Sequence, residues 1–122
     1  MAALNIAFEA PDNASGACPS KGRPIDLVFL ANQTMGDKAL ELEVLQVFAR
    51  QARQLMKDIA MSDAAGREAA AHRLKGAAQA IGANAVARAA EMLENNAMSP
   101  AAMASVGAAV VEAENFILKL CR

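Results

Sequence analysis

Residues 37–61 read DKALELEVLQVFARQARQLMKDIAM and place apolar side chains three and four positions apart. The stripe consists of Leu45, Phe48, Ala52, Leu55 and Ile59, with Leu42 and Met56 widening it. This spacing predicts a long amphipathic α-helix, and Asp37 in front of it is a residue type that caps helix N-termini. The segment therefore indicates a helical fold, and the sequence on either side of it follows the same pattern.

The sequence after this helix predicts two more helices that are separated by a glycine. Ser62 or Asp63 can cap the first of them, which runs to about Ile81 and is closed by Gly82. Asn84 can start the next helix. The inner stripe of that helix comprises Val86, Ala89, Ala90, Leu93 and Ala97.

The two ends of the chain carry different signals. Ser99 followed by Pro100 predicts the start of a fourth long helix, because proline is favoured at the first helical position. The inward positions of this helix are Met103, Val106, Val110, Ala113, Ile117 and Leu120. Residues 25–30 predict a short helix that covers the bundle and ends at Gly36. Residues 1–22 are rich in turn formers and predict a flexible tail.

Short connections between consecutive amphipathic helices favour antiparallel neighbours. The predicted fold is therefore all-α: an up-down-up-down antiparallel four-helix bundle over residues 23–122, with the short N-terminal helix and the flexible tail in front of it. No strand pattern competes with this interpretation.

Composition and charge exclude several classes of function. The chain has 122 residues, a length that fits one compact domain with a tail and excludes a large multi-domain enzyme. Its 31 alanines and its lack of Trp and Tyr suit close-packed helices. The 12 Lys and Arg residues against 13 Asp and Glu residues make nucleic acid an unexpected partner.

The sequence also bears on compartment and redox chemistry. It has no run of about 18 consecutive apolar residues and no signal-peptide pattern, which predicts a soluble, cytoplasmic protein without a membrane span. Cys18 and Cys121 lie near opposite ends at no metal-ligand spacing, so we interpret both as free thiols. We expect neither a metal nor another cofactor.

The single histidine, His72, is predicted to face away from the core. At about 100° per residue it lies about 160° from the centre of the apolar side of its helix, near Leu74. Lys75 and Gly76 follow on the same face as His72, together with Gln79. A glycine within a helix costs roughly 1 kcal/mol relative to alanine, and close approach of a partner is one reason to keep it. Ordinary surface decoration is the alternative interpretation.

The run from His72 to Ala83, HRLKGAAQAIGA, resembles the signature of histidine-containing phosphotransfer (HPt) domains, written H-x-L-K-G-x-x-x-x-[LI]-G. Gly36-Asp37 before the first long helix is similar to the family's Gly-Asp entry, and Leu93-Glu94 is similar to its Leu-Glu on the third long helix. The resemblance extends over about residues 23 to 122 and leaves only the tail outside.

The resemblance implies roles for five residues. His72 would accept a phosphoryl group through its outer ring nitrogen, Nε2, and Lys75 would steady the phosphoryl oxygens. Gly76 would leave room for the rim of a receiver domain, and Gln79 would offer a polar contact. Glu94 would accept a hydrogen bond from Nδ1, although a solvated position on the flank of its helix is the alternative. Many members carry Ser or Thr just after Lys-Gly, where this chain has alanines.

The same resemblance implies a carrier in a phosphorelay rather than an enzyme. The expected partners are receiver domains of response regulators and a separate, or hybrid, histidine kinase. The chain has neither a glycine-rich phosphate loop nor a carboxylate cluster for magnesium, so we expect the receiver to supply the metal and most catalytic groups. Transient docking on the His72 face favours a monomer. Two alternatives are an adaptor that binds receivers without being phosphorylated and a bundle that uses His72 as a cofactor ligand.

Overall fold

The structure, a computed structural model, describes residues 23–121. These residues form five helices: α1 (Leu27–Gln33), α2 (Lys38–Met61), α3 (Ala64–Ile81), α4 (Asn84–Asn95) and α5 (Pro100–Leu120). The described part of the chain contains no strand, so the all-α prediction is confirmed. The predicted flexible tail, residues 1–22 with Cys18, lies outside the described residues.

Three of the predicted helix starts carry the side-chain caps that the sequence indicates. The Asp37 carboxylate accepts the Leu40 N–H at 3.1 Å, and the Asp63 carboxylate accepts the Gly66 N–H at 2.9 Å. Ser99 caps α5 through its hydroxyl, with proline at the first helical position. Each bond satisfies one of the backbone donors that a helix start leaves unpaired. Helix α4 also begins where predicted, but without a side-chain cap.

Helix α1 begins two residues later than the sequence predicts. The Asp26 carboxylate caps it by accepting the N–H groups of Val28 and Phe29, both at 3.1 Å, so Ile25 precedes the helix although it is fully buried. The chain then turns through Met35 and Gly36, both with positive φ. The left-handed glycine was predicted, whereas the left-handed methionine before it was not.

The core confirms most of the predicted α2 stripe and corrects one position. Leu42 is exposed, and the neighbouring Glu41 is buried instead. Glu41 lies one turn before Leu45 on the core side, and its carboxylate is reached by Lys38 Nζ at 3.5 Å and Thr34 Oγ1 at 3.4 Å. These partners make the buried carboxylate tolerable, which a count of apolar residues cannot foresee.

One inner position of α4 was also predicted wrongly. The helix ends at Asn95, because the Asn96 N–H turns back to the carbonyls of Met92 and Leu93. Ala97 therefore lies in the following turn and is half-buried. The buried residues of α4 are Val86, Ala87, Ala89, Ala90 and Leu93.

The four long helices pack as a closed ring. Helix α3 lies between α2 and α4, and α5 closes the ring by packing against both α4 and α2. The short α1 contacts α2 and α3 at one end, where the Asp26 N–H donates to the Gly82 carbonyl at 2.9 Å. The α3/α4 surface and the α2/α5 surface are therefore opposite sides of the molecule.

Helix α5 is long and apolar enough to cross a bilayer by length and composition. Core helices of soluble proteins meet the same criterion, and α5 does contribute to the core. Its buried residues are Ala102, Val106, Val110, Ala113 and Ile117. Less than a third of its most apolar window is buried, however, so α5 also carries apolar side chains outside the core.

Replacing Gly82 with alanine should destabilise the fold by about 2 to 3 kcal/mol. Gly82 has φ +79°, which disfavours any side chain. In addition, a Cβ at this position would lie 3.1 Å from the Phe29 side chain and 3.2 Å from the Asp26 carbonyl oxygen. Gly36→Ala is the matched control: φ is +77° but the Cβ meets nothing within 4 Å, so the loss should be about 1 kcal/mol. Urea denaturation measures both. Equal losses would show that the contacts with α1 do not matter.

Candidate functional site

His72 lies on the outer surface of α3, as its position relative to Leu74 predicts. Its side chain is 68% exposed, whereas Leu74 is fully buried in the core. Ala65 and Ala69, on the preceding turns of the same face, are exposed and small. The imidazole is therefore open to solvent and to a docking partner.

The inner ring nitrogen of His72 is held by a residue of the neighbouring helix. His72 Nδ1 lies 2.8 Å from Oε2 of Glu94, whose position on α4 faces α3. An ionised carboxylate only accepts hydrogen bonds, so the proton between the two groups is assigned to Nδ1. In the neutral ring this assignment leaves the Nε2 lone pair directed away from Glu94. Glu94 thus reaches His72 rather than standing as a solvated flank residue.

The second oxygen of the same carboxylate binds a lysine. Lys75 Nζ lies 2.9 Å from Glu94 Oε1, and the two side chains are only 22% and 20% exposed. The hydrogen bond from Lys75, followed by the one from His72, lowers the pKa of Glu94. The bond to Glu94 in turn raises the pKa of Lys75. Both groups are therefore charged at neutral pH, and one carboxylate joins His72 to Lys75.

The surface around His72 is a shallow depression of about 460 Å³. Its lining consists of Ala65, Glu68, Ala69, His72, Arg73 and Glu94. Gly76 is exposed one turn after His72, and a Cβ built there would meet no atom within 4 Å. The absence of a side chain at this position keeps the surface low next to the imidazole.

The structure does not bring Gln79 into this cluster. Gln79 is exposed on α3 one turn beyond Lys75, and among residues 23–121 it makes no hydrogen bond to His72, Lys75 or Glu94. Its role as a polar contact for a partner stays a prediction.

The sequence does not indicate the structural role of Arg67, which connects the start of α3 to two other segments. Its guanidinium donates to the Ile59 carbonyl at 3.1 Å and to the Ala97 carbonyl at 3.4 Å. It therefore ties the start of α3 to the end of α2 and to the turn after α4. Only the three-dimensional approach of these segments reveals the role, because nothing in the local pattern distinguishes Arg67 from a solvated arginine.

No metal site accompanies the cluster in the part of the chain that the structure describes. Within residues 23–121, no group of three or more His, Cys, Asp and Glu side chains is placed to hold a metal ion. The chemical groups at hand are one exposed imidazole, one carboxylate and one ammonium group.

Comparison with known families identifies what this arrangement belongs to. The sequence model of the Hpt domain family matches residues 43–116, more than half of the chain. The chain belongs to the Hpt domain family. The matched range includes His72 and Glu94 but begins within α2, so it leaves out α1 and Gly36-Asp37. Searches of curated proteins and of solved structures found no match.

Membership of the Hpt family gives the general function. Hpt domains carry phosphoryl groups rather than catalyse reactions, and they interact with receiver domains and histidine kinases. This Hpt chain is therefore involved in phosphorelay signalling.

Glu94 of this Hpt domain should titrate below the ordinary range of a glutamate, and Lys75→Met should raise its pKa, because the bond from Lys75 is the main cause of the shift. The folded state then binds fewer protons than the unfolded chain. The resulting stabilisation is complete above about pH 4.5 and is lost as pH falls through the lowered pKa.

Carbon-detected NMR of the Glu94 carboxyl during a pH titration measures this pKa. Lys119→Met, which removes an exposed lysine on α5, is the control and should leave the Glu94 pKa unchanged. An unchanged pKa in Lys75→Met would contradict the pairing.

Proposed function

We propose that this Hpt domain is a histidine phosphocarrier. His72 accepts a phosphoryl group from the aspartyl phosphate of one receiver domain and passes it to the aspartate of a response regulator. The observation that carries the proposal is the contact of 2.8 Å between His72 Nδ1 and Glu94 on an otherwise exposed ring. In a solvent-exposed histidine without that contact, the proton of the neutral ring would not be confined to Nδ1.

The transfer step follows from the tautomer. With the proton on Nδ1, Nε2 holds the lone pair that attacks phosphorus. A new N–P bond forms while the O–P bond of the aspartyl phosphate breaks, and the departing aspartate oxygen keeps the electron pair. The phosphorylated ring carries a positive charge that faces the Glu94 carboxylate. Return of the phosphoryl group to an aspartate reverses each change.

Lys75 and Gly76 support the same step from α3. Phosphoryl transfer requires in-line positioning and charge neutralisation more than covalent help from the protein. Lys75, one turn from His72, supplies a positive charge to the phosphoryl oxygens. Gly76 leaves room for the receiver, whose bound magnesium and active-site groups complete the reaction.

The exposed face around His72 is the proposed docking surface for the receiver. Ala65, Ala69 and Gly76 give it a shallow profile, while Arg73 and Lys75 give it positive charge suited to an acidic receiver pocket. A separate histidine kinase, or a hybrid kinase, feeds the relay. We propose that the exchange takes place in the cytoplasm.

We also infer that residues 23–122 form one Hpt unit with up-down-up-down topology. The contacts between neighbouring helices support this topology, because residue numbers fall along one helix as they rise along the other. Arg53 binds Glu114 and Gln46 contacts Cys121 between α2 and α5. Between α3 and α4, His72 pairs with Glu94, as expected for antiparallel neighbours joined by a short loop.

His72→Gln should abolish phosphoryl transfer, because the amide has no ring nitrogen to attack phosphorus. The purified chain is mixed with a labelled phospho-receiver, and transfer of an acid-labile, alkali-stable label is followed. Glu68→Gln, in the same depression, is the matched control and should still be labelled. If no receiver in a panel labels the wild type while both proteins bind receivers equally, the protein is a non-phosphorylated adaptor.

Gly76→Ala should stabilise the fold by about 0.5 to 1 kcal/mol and slow phosphoryl transfer. The new methyl group meets nothing within the free chain but occupies space next to the imidazole. Gly107→Ala on α5 is the control, since its Cβ would make only ordinary contact with Met56 at 3.6 Å, and it should not change the transfer rate. Denaturation and transfer kinetics measure the two effects; transfer as fast as wild type would exclude docking over Gly76.

A further inference from the structure

Helix α4 carries a second acidic residue, Glu91, at the level of Lys75. The contact between His72 and Glu94 sets the register of α3 against α4, which run antiparallel in the topology proposed above. Along α3, Lys75 follows His72 by three residues. Along α4, Glu91 precedes Glu94 by three residues, so the two steps run in the same direction in space. Each step covers about 4.5 Å along its helix axis, which brings Glu91 level with Lys75.

Glu91 acts on the ammonium group of Lys75 from the solvent side. At about 100° per residue it lies about 60° from Glu94 around α4, and its side chain is exposed. The hydrogen bond that Lys75 donates to Glu94 is the main cause of the raised pKa of Lys75, and the charges of Glu94 and Glu91 add to it. Two carboxylates therefore attract one ammonium group, although only one of them is bonded to it.

The charge of Glu91 is not engaged elsewhere in the part of the chain that the structure describes. Within residues 23–121, the ion pair of Lys75 is with Glu94, and Glu91 forms none. Arg88 is exposed one turn before Glu91 on α4, but these two side chains form no ion pair. Glu91 is therefore free to attract Lys75 whenever that side chain moves away from Glu94.

We propose that Glu91 is a positioning residue that acts on phosphoryl transfer through Lys75. This inference rests on the proposed phosphocarrier function of His72. A phosphoryl group on Nε2 attracts the ammonium group of Lys75 to its oxygens, and Glu91 competes for the same ammonium group together with Glu94. The phosphohistidine is then stabilised less than an uncontested lysine would allow. Glu91 thus shifts the equilibrium toward the receiver, where the N–P bond has been exchanged for the O–P bond of the aspartyl phosphate.

A general effect of negative charge near His72 is a different mechanism, and Glu68 separates the two. Glu68 lies one turn before His72 and lines the same depression. It is seven residues from Lys75, however, which is about 10 Å along α3. The charges that raise the pKa of Lys75 are those of Glu94 and Glu91, and Glu68 is not one of them. Removing the charge of Glu68 therefore changes the field at the imidazole without acting on Lys75.

Glu91→Gln should shift the transfer equilibrium toward phosphohistidine about two- to fivefold, the size expected for one exposed charge. A receiver that labels the wild type is mixed with each full-length variant and magnesium, and the two phosphorylated species are compared at equilibrium. Glu68→Gln should give a much smaller shift, and Glu112→Gln, an exposed position on α5, should give none. Glu91→Asp, which keeps the charge, should stay close to the wild type. The shift should shrink in about 1 M salt, which screens exposed charges.

Two further measurements test the route through the lysine. In the Lys75→Met background, Glu91→Gln should have little further effect on the equilibrium, because the ammonium group that Glu91 attracts is gone. NMR titration of the Lys75 ammonium group does not depend on phosphoryl transfer. Glu91→Gln should lower the pKa of Lys75, whereas Glu68→Gln should leave it unchanged.

The results separate the role of Glu91 from the phosphocarrier function itself. A wild-type equilibrium in Glu91→Gln, or an equal shift in Glu68→Gln, overturns the role of Glu91. A full shift that persists in the Lys75→Met background, or an unchanged pKa of Lys75 in Glu91→Gln, also overturns it. All of these results leave the phosphocarrier function standing, since the wild type is labelled. A wild type that no receiver labels contradicts the phosphocarrier function, and the role of Glu91 with it.

Discussion

The Glu94 carboxylate is the contact on which the candidate site depends. Glu94 belongs to α4, yet it orients the imidazole of His72 on α3. It also binds Lys75, which lies one turn after His72 on α3. Glutamate has a short reach, so the two helices must pack closely at this level. The facing surfaces are rich in alanine, among them Ala71, Ala78 and Ala90, and small side chains at a helix contact permit a short interaxial distance. The alanine content of these two surfaces therefore permits the close approach on which the geometry of the site depends.

The features that the sequence predicted are those with local causes. Asp37, Asp63 and Ser99 cap the helices that follow them, because a cap needs only the next few backbone N–H groups. The outward direction of His72 follows from helical periodicity alone, and Gly82 ends α3 in the left-handed conformation, as a glycine at that position suggests. These inferences need no knowledge of how the helices pack.

The features that the sequence did not predict depend on approach between distant segments. Glu41 is buried because Thr34 and Lys38 reach its carboxylate, and Arg67 is fixed by carbonyls of two other elements. Whether Glu94 reaches His72 was open for the same reason, since the angle of α4 relative to α3 cannot be derived from either stripe.

The shared carboxylate also bears on the energetics of a relay. A lysine without another ion-pair partner would bind a phosphoryl group strongly, and the carrier would then release that group poorly. Lys75 is already engaged by Glu94. In the proposed relay, a phosphoryl group on His72 therefore competes with Glu94 for Lys75 and gains only the difference between the two attractions. Such competition weakens the hold of Lys75 on the phosphoryl group and so favours its transfer onward. In the proposed relay, the concentrations of the phosphorylated partners then set the direction of flux.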